Sequence, residues 1–161
     1  MTIGDHQGVR VRQSPEWNTA NMCWAGAPAL GDASHVPAVA LLNNDDRGWV
    51  YKVYGYAIDH EGTGNVTVSF ANGSPVPTFS QAQAINPSNG QPSGLACAGA
   101  ITLPGSFGSE LYQHNVGSVL AQYTSDWPLW EIPKGMSLVF LASANNDVLS
   151  VTFWFRISAI E

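Results

Sequence analysis

The sequence predicts an all-β fold: an antiparallel, jelly-roll-like β-sandwich with long irregular loops and little or no helix. Three observations carry this. Apolar and polar side chains alternate in several short segments, the two-residue period of a strand. Turn-forming stretches such as Asn43-Asn-Asp-Asp-Arg-Gly48, Asn72-Gly73, Pro104-Gly105 and Asn145-Asn146 separate those segments. No segment holds a helical period over a credible length. About seven to nine short strands are expected, the pattern of a sandwich, jelly roll or small barrel.

Taken in order, residues 1–16 form a polar, extended N-terminal segment with room for a short strand at Val9-Arg-Val-Arg12, and residues 17–161 form a single domain. The stretch from Glu16 to Asp32, rich in Trp, Ala, Gly and Asn, reads as a short strand and a loop. Val36-Pro-Ala-Val-Ala-Leu-Leu42 is a compact apolar run, and Pro37 suits a strand start or an edge. Trp49-Val-Tyr-Lys-Val-Tyr-Gly-Tyr-Ala-Ile58 carries large side chains in both phases, which predicts a central strand covered on both faces; Gly55 marks a bulge or a close backbone approach. Asp59-His-Glu-Gly-Thr-Gly64 reads as a solvated hairpin-type loop. It leads into Asn65-Val-Thr-Val-Ser-Phe70, with Val66, Val68 and Phe70 facing inward.

Residues 74–94 hold four prolines and form a long surface excursion with one strand near Thr78 to Ile85. Leu95-Ala-Cys-Ala-Gly-Ala-Ile-Thr-Leu103 resumes the sheet with small residues. Val116 to Tyr123 reads as a strand, with one or two helical turns as the alternative, and strands follow within Asp126 to Pro133 and at Ser137 to Ala142. Asn145-Asn146 then turns into the last strand, as a hairpin. That strand, Asp147-Val-Leu-Ser-Val-Thr-Phe-Trp-Phe-Arg-Ile-Ser158, sends Leu149, Val151, Phe153, Phe155 and Ile157 to one face and Ser150, Thr152, Trp154 and Arg156 to the other. The first face is core. The second is either covered by another layer or offered to a neighbouring subunit. No internal repeat is present.

Composition narrows the function classes. Only 11% of residues are charged, against about 25% in an average protein. Such a surface is either covered by other subunits or built of Ser, Thr, Asn and Gln. The net charge is −6 and the basic residues Arg10, Arg12, Arg47, Lys52, Lys134 and Arg156 are scattered, so direct nucleic-acid binding is disfavoured. No apolar run approaches the roughly 20 residues of a membrane span, and residues 1–8 lack the pattern of a secretory signal. Cys23 and Cys97 sit among small or apolar residues as buried thiols, with a single disulfide as the minority reading.

Catalytic and metal-binding signatures are missing. His6, His35, His60 and His114 never fall at metal-ligand spacing. Asp59-His60-Glu61 are neighbours along one strand direction, which points them apart, so a solvated turn fits better than a metal site. Asn44-x-Asp46-x-Gly48 opens like a calcium loop, but position 55 is Gly where such a loop needs Glu. There is no Gly-x-Ser-x-Gly elbow and no phosphate-cradling loop. No cofactor is implied. Asn65-Val-Thr67 and Asn72-Gly-Ser74 fit the glycosylation pattern, which is short and often met by chance. The remaining candidates are aromatic: Trp17, Trp24, Trp127, Trp130 and Trp154, with Arg156 beside the last, as anchors of a protein interface or a sugar-stacking platform, weighed against plain packing.

Two blocks carry a resemblance. Leu41-Leu-Asn-Asn-Asp-Asp-Arg-Gly-Trp-Val-Tyr-Lys-Val-Tyr-Gly-Tyr56 resembles the Asn-rich turn and long aromatic strand of small virion proteins of tailed bacteriophages. Trp130-Glu-Ile-Pro-Lys-Gly-Met-Ser-Leu-Val-Phe-Leu-Ala-Ser-Ala-Asn-Asn-Asp-Val-Leu-Ser-Val-Thr-Phe-Trp-Phe-Arg156 resembles their ending. The family includes capsid decoration (cement) proteins and head or tail fibre modules. The resemblance implies a non-enzymatic viral structural protein, a homo-oligomer with trimers common, that is made and assembled in the host bacterial cytoplasm and resides in the virion. Its implied partners are itself and the major capsid protein or other virion proteins, with no direct nucleic acid and no membrane. The alternative is a tail or fibre receptor-binding or carbohydrate-binding module; a glycan-cleaving enzyme is a third reading, requiring a carboxylate pair in a cleft. The ending Arg156-Ile-Ser-Ala-Ile-Glu161 departs from the acidic ending of the family. The shared blocks are structural patterns and transfer no functional residue.

Overall fold

The computed structural model describes residues 23–45, 47–73, 80–85, 92–101, 109–114 and 119–159. These form β1 (Cys23–Leu30), β2 (Val36–Leu42), β3 (Val50–Glu61), β4 (Val66–Asn72), β5 (Ser80–Ile85), β6 (Pro92–Ile101), β7 (Ser109–His114), β8 (Val119–Thr124), β9 (Trp130–Ile132), β10 (Met136–Ala142) and β11 (Val148–Ser158). There is no helix among the described residues, as the absence of a helical period predicts.

All pairings are antiparallel, and the hydrogen-bonded order is β7-β4-β10-β2-β6-β5-β1-β11-β3-β8, with β9 added beside β3. The path folds back on itself as two sheets packed face to face. β1, β11, β3, β8 and β9 make the first; β2, β10, β4 and β7, extended by β6, make the second. β5 pairs with β6 along its length and touches β1 at one bridge, Trp24 with Ile85, so it closes one side. With β5, β6 and β9 set aside, eight strands remain. Numbered in chain order they lie 1-8-3-6 in one sheet and 2-7-4-5 in the other, the strand order of a jelly roll.

The core fills the space between the sheets. β11 contributes Leu149, Val151, Phe153 and Phe155, all fully buried, as its alternation predicts. Phe153 meets Phe140 of the opposite sheet edge to face, ring centroids 5.4 Å apart, and Tyr56 meets the same Phe140 at 4.9 Å. Such aromatic contacts add to the burial of area. β1 faces inward with Cys23, Ala25, Ala27 and Ala29. Small residues there bring its backbone close to the facing layer. Cys23 is a buried thiol outside any disulfide, and the side chain of Cys97 lies outside the described set.

β3 departs from simple alternation, and the reason is a bulge. Phe155 lies opposite Val53 and Trp154 opposite Gly55, so Tyr54 is an extra residue on β3. Tyr51 and Val53 face the core before it; Tyr56, Ile58 and His60 do so after it. The large side chains in both phases come partly from this one-residue phase change, and Tyr54 itself is buried apart from the core between the sheets. Gly55 fulfils both of its predicted roles. It adjoins the bulge, and a Cβ on it would stand 2.5 Å from the Tyr123 carbonyl oxygen of β8. β2 and β10 are covered on both faces. Val36, Ala38 and Ala40 of β2, with Val139 and Leu141 of β10 and Ile101 of β6, form a second buried cluster on the far side of that sheet. β2 lies between β10 and β6, so Pro37 marks the start of an interior strand.

Two expectations are corrected. The turn before β11 does not close a hairpin. β10 pairs with β2 and β4, and β11 with β1 and β3, so residues 143–147 cross from one sheet to the other. The second correction concerns residues 59–64. β3 continues through Glu61, and His60 is fully buried, not part of a solvated loop. Its Nε2 lies 2.9 Å from Oδ2 of buried Asp147, which also accepts hydrogen bonds from the backbone N–H of Gly64 (3.0 Å) and, through Oδ1, of Thr63 (3.1 Å). Gly62, at φ 155°, leaves space for this carboxylate; a Cβ there would collide with it. The Asp147 carbonyl accepts from the Gly31 N–H, and the Asn146 N–H donates to the Asp32 carbonyl. Three sheet-crossing connections, β1–β2, β3–β4 and β10–β11, are thus bound at one point. At the other end Asn43 acts likewise: its Nδ2 donates to the carbonyls of Trp49 and Ile132, and its backbone pairs with Met136 and Gly135.

Phe153→Ala is expected to cost about 3–5 kcal/mol in denaturant unfolding, and a loss below about 1 kcal/mol would refute the face assignment of β11. Asp147→Ala strips a buried imidazole and two N–H groups of their acceptor; equilibrium unfolding should show a loss of about 3–5 kcal/mol.

Candidate functional site

The outer face of the first sheet gathers most of the aromatic and cationic candidates. Alternation turns Trp24, Gly26, Pro28 and Leu30 of β1 outward, with Ser150, Thr152, Trp154 and Arg156 of β11 beside them. Registration sets Trp24 directly opposite Trp154 and Gly26 opposite Thr152. Across β11, Trp154 faces Gly55, Thr152 faces Ala57, and Arg156 faces Lys52. β8 completes the face with Leu120, Gln122 and Thr124. The centre is therefore flat and built of small side chains. Its margins carry large apolar groups: Trp24 is 48% exposed, Leu30 66% and Leu120 84%. Isolated exposed apolar residues are ordinary; several on one sheet face make that face the candidate contact surface.

The sequence-predicted residues separate into groups. Trp24, Trp154 and Arg156 come together on this face. Trp130 does not: it packs against the core and stacks on Tyr56, ring centroids 5.6 Å apart. Trp127 stands on the β8–β9 connection, 70% exposed, away from the others. Trp17, like the whole 1–16 segment, lies outside the described residues. Leu30, Leu120 and Lys52 were not singled out by sequence. The odd–even phase of β1 and β11 was legible, but which strands would stand beside them was not. His60 with Asp147 also went unrecognised as a pair, because 86 residues of intervening chain carry no sign of their contact.

At the opposite end of the molecule the β2–β3 turn makes a smaller feature. Arg47 stacks over Trp49, its guanidinium carbon 3.8 Å from the ring centroid, and its Nη2 lies 2.6 Å from Asp45 Oδ2. The Arg47 guanidinium, by hydrogen bonding, holds the Asp45 carboxyl below the usual aspartate range, against a smaller opposing push from burial. Nearby, burial pushes the Tyr51 phenol up to about 12, with the Asp45 charge adding to it. Among the described residues no group of His, Cys, Asp and Glu is arranged to hold a metal ion. Comparison of the chain with protein-family models, curated proteins and solved structures found no match.

The Asp45 shift has a definite sign. A carboxyl whose folded value lies below its unfolded one contributes stability that is complete above the unfolded value of about 4 and is lost as pH falls through the folded value. Arg47→Ala should therefore flatten the acid limb of the stability–pH curve below about pH 4 while leaving the neutral region within about 1 kcal/mol. Urea unfolding at stepped pH reads this directly.

Proposed function

We propose that the chain is a non-enzymatic structural protein of a tailed-bacteriophage virion, a capsid decoration protein that binds and stabilises the head as a homo-oligomer, with a trimer as the expected state. The observation that supports this best is the outer face of the first sheet, with small side chains at its centre and Trp24, Leu30 and Leu120 exposed at its margins. A protein that reinforces a shell must present a rigid, shape-stable surface and needs no reaction centre. A jelly roll tied by polar clasps at both ends suits that demand, as does a chain with only 11% charged residues. In this reading the protein is made and assembled in the host cytoplasm, and its partners are further copies of itself and the major capsid protein.

A second reading rests on Trp127. An indole 70% exposed on a loop, with Tyr123 partly exposed nearby in sequence, is the kind of platform on which a sugar ring stacks. This would make the chain a receptor-binding or carbohydrate-binding module of a tail or fibre.

The readings part in experiment. A decoration protein should elute as an oligomer in light-scattering chromatography and bind expanded empty heads, with Trp24→Ala and Leu120→Ser together lowering head affinity by about tenfold or more. A stable monomer with no affinity for any virion component would remove the proposal. A glycan-array signal abolished by Trp127→Ala, with head binding absent, would favour the module.

A further inference from the structure

The strand array has two ends, β7 and β8 with its companion β9, and they are protected unequally. Proteins guard open strand edges with charge, proline, brevity or a bulge. β7 has two of these: its sequence holds Glu110, and its ladder with β4 slips by one residue at Leu111. β9 is three residues long and carries Glu131. β8, Val119-Leu-Ala-Gln-Tyr-Thr124, has neither charge nor proline, and it runs beside β3 along its whole length without a register shift. Its far edge has no ladder partner among the described residues. Leu120 is 84% exposed, which leaves its backbone open as well as its side chain, and Gln122 and Thr124 are exposed too. Large apolar side chains gather at the same place. Of the six exposed among the described residues, four (Leu120, Tyr123, Trp127 and Leu129) lie on β8 or on the connection that follows it.

We propose that the open edge of β8 pairs with β8 of a second copy of this chain, antiparallel about a two-fold axis at Gln122, so that the first sheets of two chains join into one. Strand addition satisfies the free backbone groups of both edges. A two-fold contact uses the same strand on both sides, so it closes the edge and leaves no β8 from which further copies could grow. Charge favours a second copy at this place. Each chain carries −6, and two like-charged bodies approach with least repulsion where the surface strand is uncharged. The register follows from the faces. Outward residues stand opposite outward ones across a ladder, so the axis passes through a residue of β8 and not between two. At Gln122 it sets Leu120 opposite Thr124 of the second copy, and small Ala121 opposite Tyr123, whose ring stacks on Tyr56. Gln122 then meets its own copy. An amide carries donors and an acceptor together and so complements itself, which a carboxylate or an ammonium does not. An axis at Ala121 would instead set that amide against Leu120. The contact goes beyond the proposed function: it needs no virion partner, and it yields a dimer or joins trimers in pairs, the trimer then forming through another surface.

The test uses the full chain. Residues paired across the axis of an antiparallel ladder have Cα atoms about 4.5–5.5 Å apart, within the range a disulfide spans. Leu120 and its copy would stand about 14 Å apart, four residues along. With oxidised glutathione, Gln122→Cys should therefore form a reducible crosslinked dimer about tenfold more than Leu120→Cys or the unaltered chain, read by non-reducing electrophoresis. A charge exchange tests the same axis without oxidation. Gln122→Lys and Gln122→Glu alone each set like charges opposite each other, and light scattering should show half the number of chains per particle; mixing the two variants in equal amounts should restore the full number. Should either charged variant not fold, the crosslink carries the test. Equal crosslinking of Gln122→Cys and Leu120→Cys, a wild type that is a monomer at about 0.1 mM, an assembly unchanged by Gln122→Lys, or a mixture no larger than its separate components would each overturn the proposal. Head binding is read separately. Crosslinking at Gln122 in a chain that binds no heads would support this contact while counting against the virion reading, and head binding by a chain without the crosslink would do the reverse.

Discussion

The fold depends on the carboxylate of Asp147. A jelly roll has to carry its chain repeatedly from one sheet to the other, and each crossing leaves backbone N–H and C=O groups outside any ladder. Asp147 gathers three of these crossings. Its side chain accepts from Thr63 and Gly64 and from the His60 ring, and its carbonyl accepts from Gly31. A buried carboxylate is tolerated only when its oxygens find partners, and here the end of β3 and the β3–β4 connection supply them. The distance between the sheets at this end is therefore set by hydrogen-bond geometry as well as by side-chain volume. Asn43 plays the neutral counterpart at the other end, where an amide can serve because its partners are carbonyls and one N–H.

Between these clasps the core sorts itself by residue size. The inner face of β1 is Cys and Ala, while β11 and β3 supply Phe, Tyr, Leu and Ile. Large side chains on the interior strands fill the middle of the sandwich, and small ones on β1 let the layers approach near the side closed by β5. The Tyr54 bulge belongs to the same pattern. By changing the phase of β3 once, it lets Tyr51 stack on Phe155 at 5.0 Å in one half and Tyr56 stack on Tyr123 at 5.0 Å in the other.

Legibility followed the range of the interaction. Strand positions were readable because alternation is local: β4, β5, β10 and β11 fall where the pattern places them. The inner face of β11 was readable residue by residue. The connection before β11 was not, since Asn145-Asn146 signals a turn equally well whether the following strand pairs with the last one or crosses to the other sheet. His60 was misread for a related reason. Its neighbours Asp59 and Glu61 are polar and exposed, and the partner that helps make the buried position tenable, Asp147, is distant in sequence. Trp130 and Trp154 look alike in sequence, yet one stacks on Tyr56 and the other stands on the outer face beside Arg156. The strand partner and the layer opposite decide that difference, and neither is written near the residue.

The rolled path β7 to β8 has a further consequence. Because β5 links the two sheets on one side, the hydrogen-bonded array has two ends, β7 and β8 with its companion β9, and both lie on the opposite side. β7 and β8 are successive in the chain. Unsatisfied strand edges invite pairing with any extended segment, and they are the usual starting point of unwanted strand-to-strand growth. Among the described strands that vulnerability is confined to one flank, where the end strands β7 and β8 both lie.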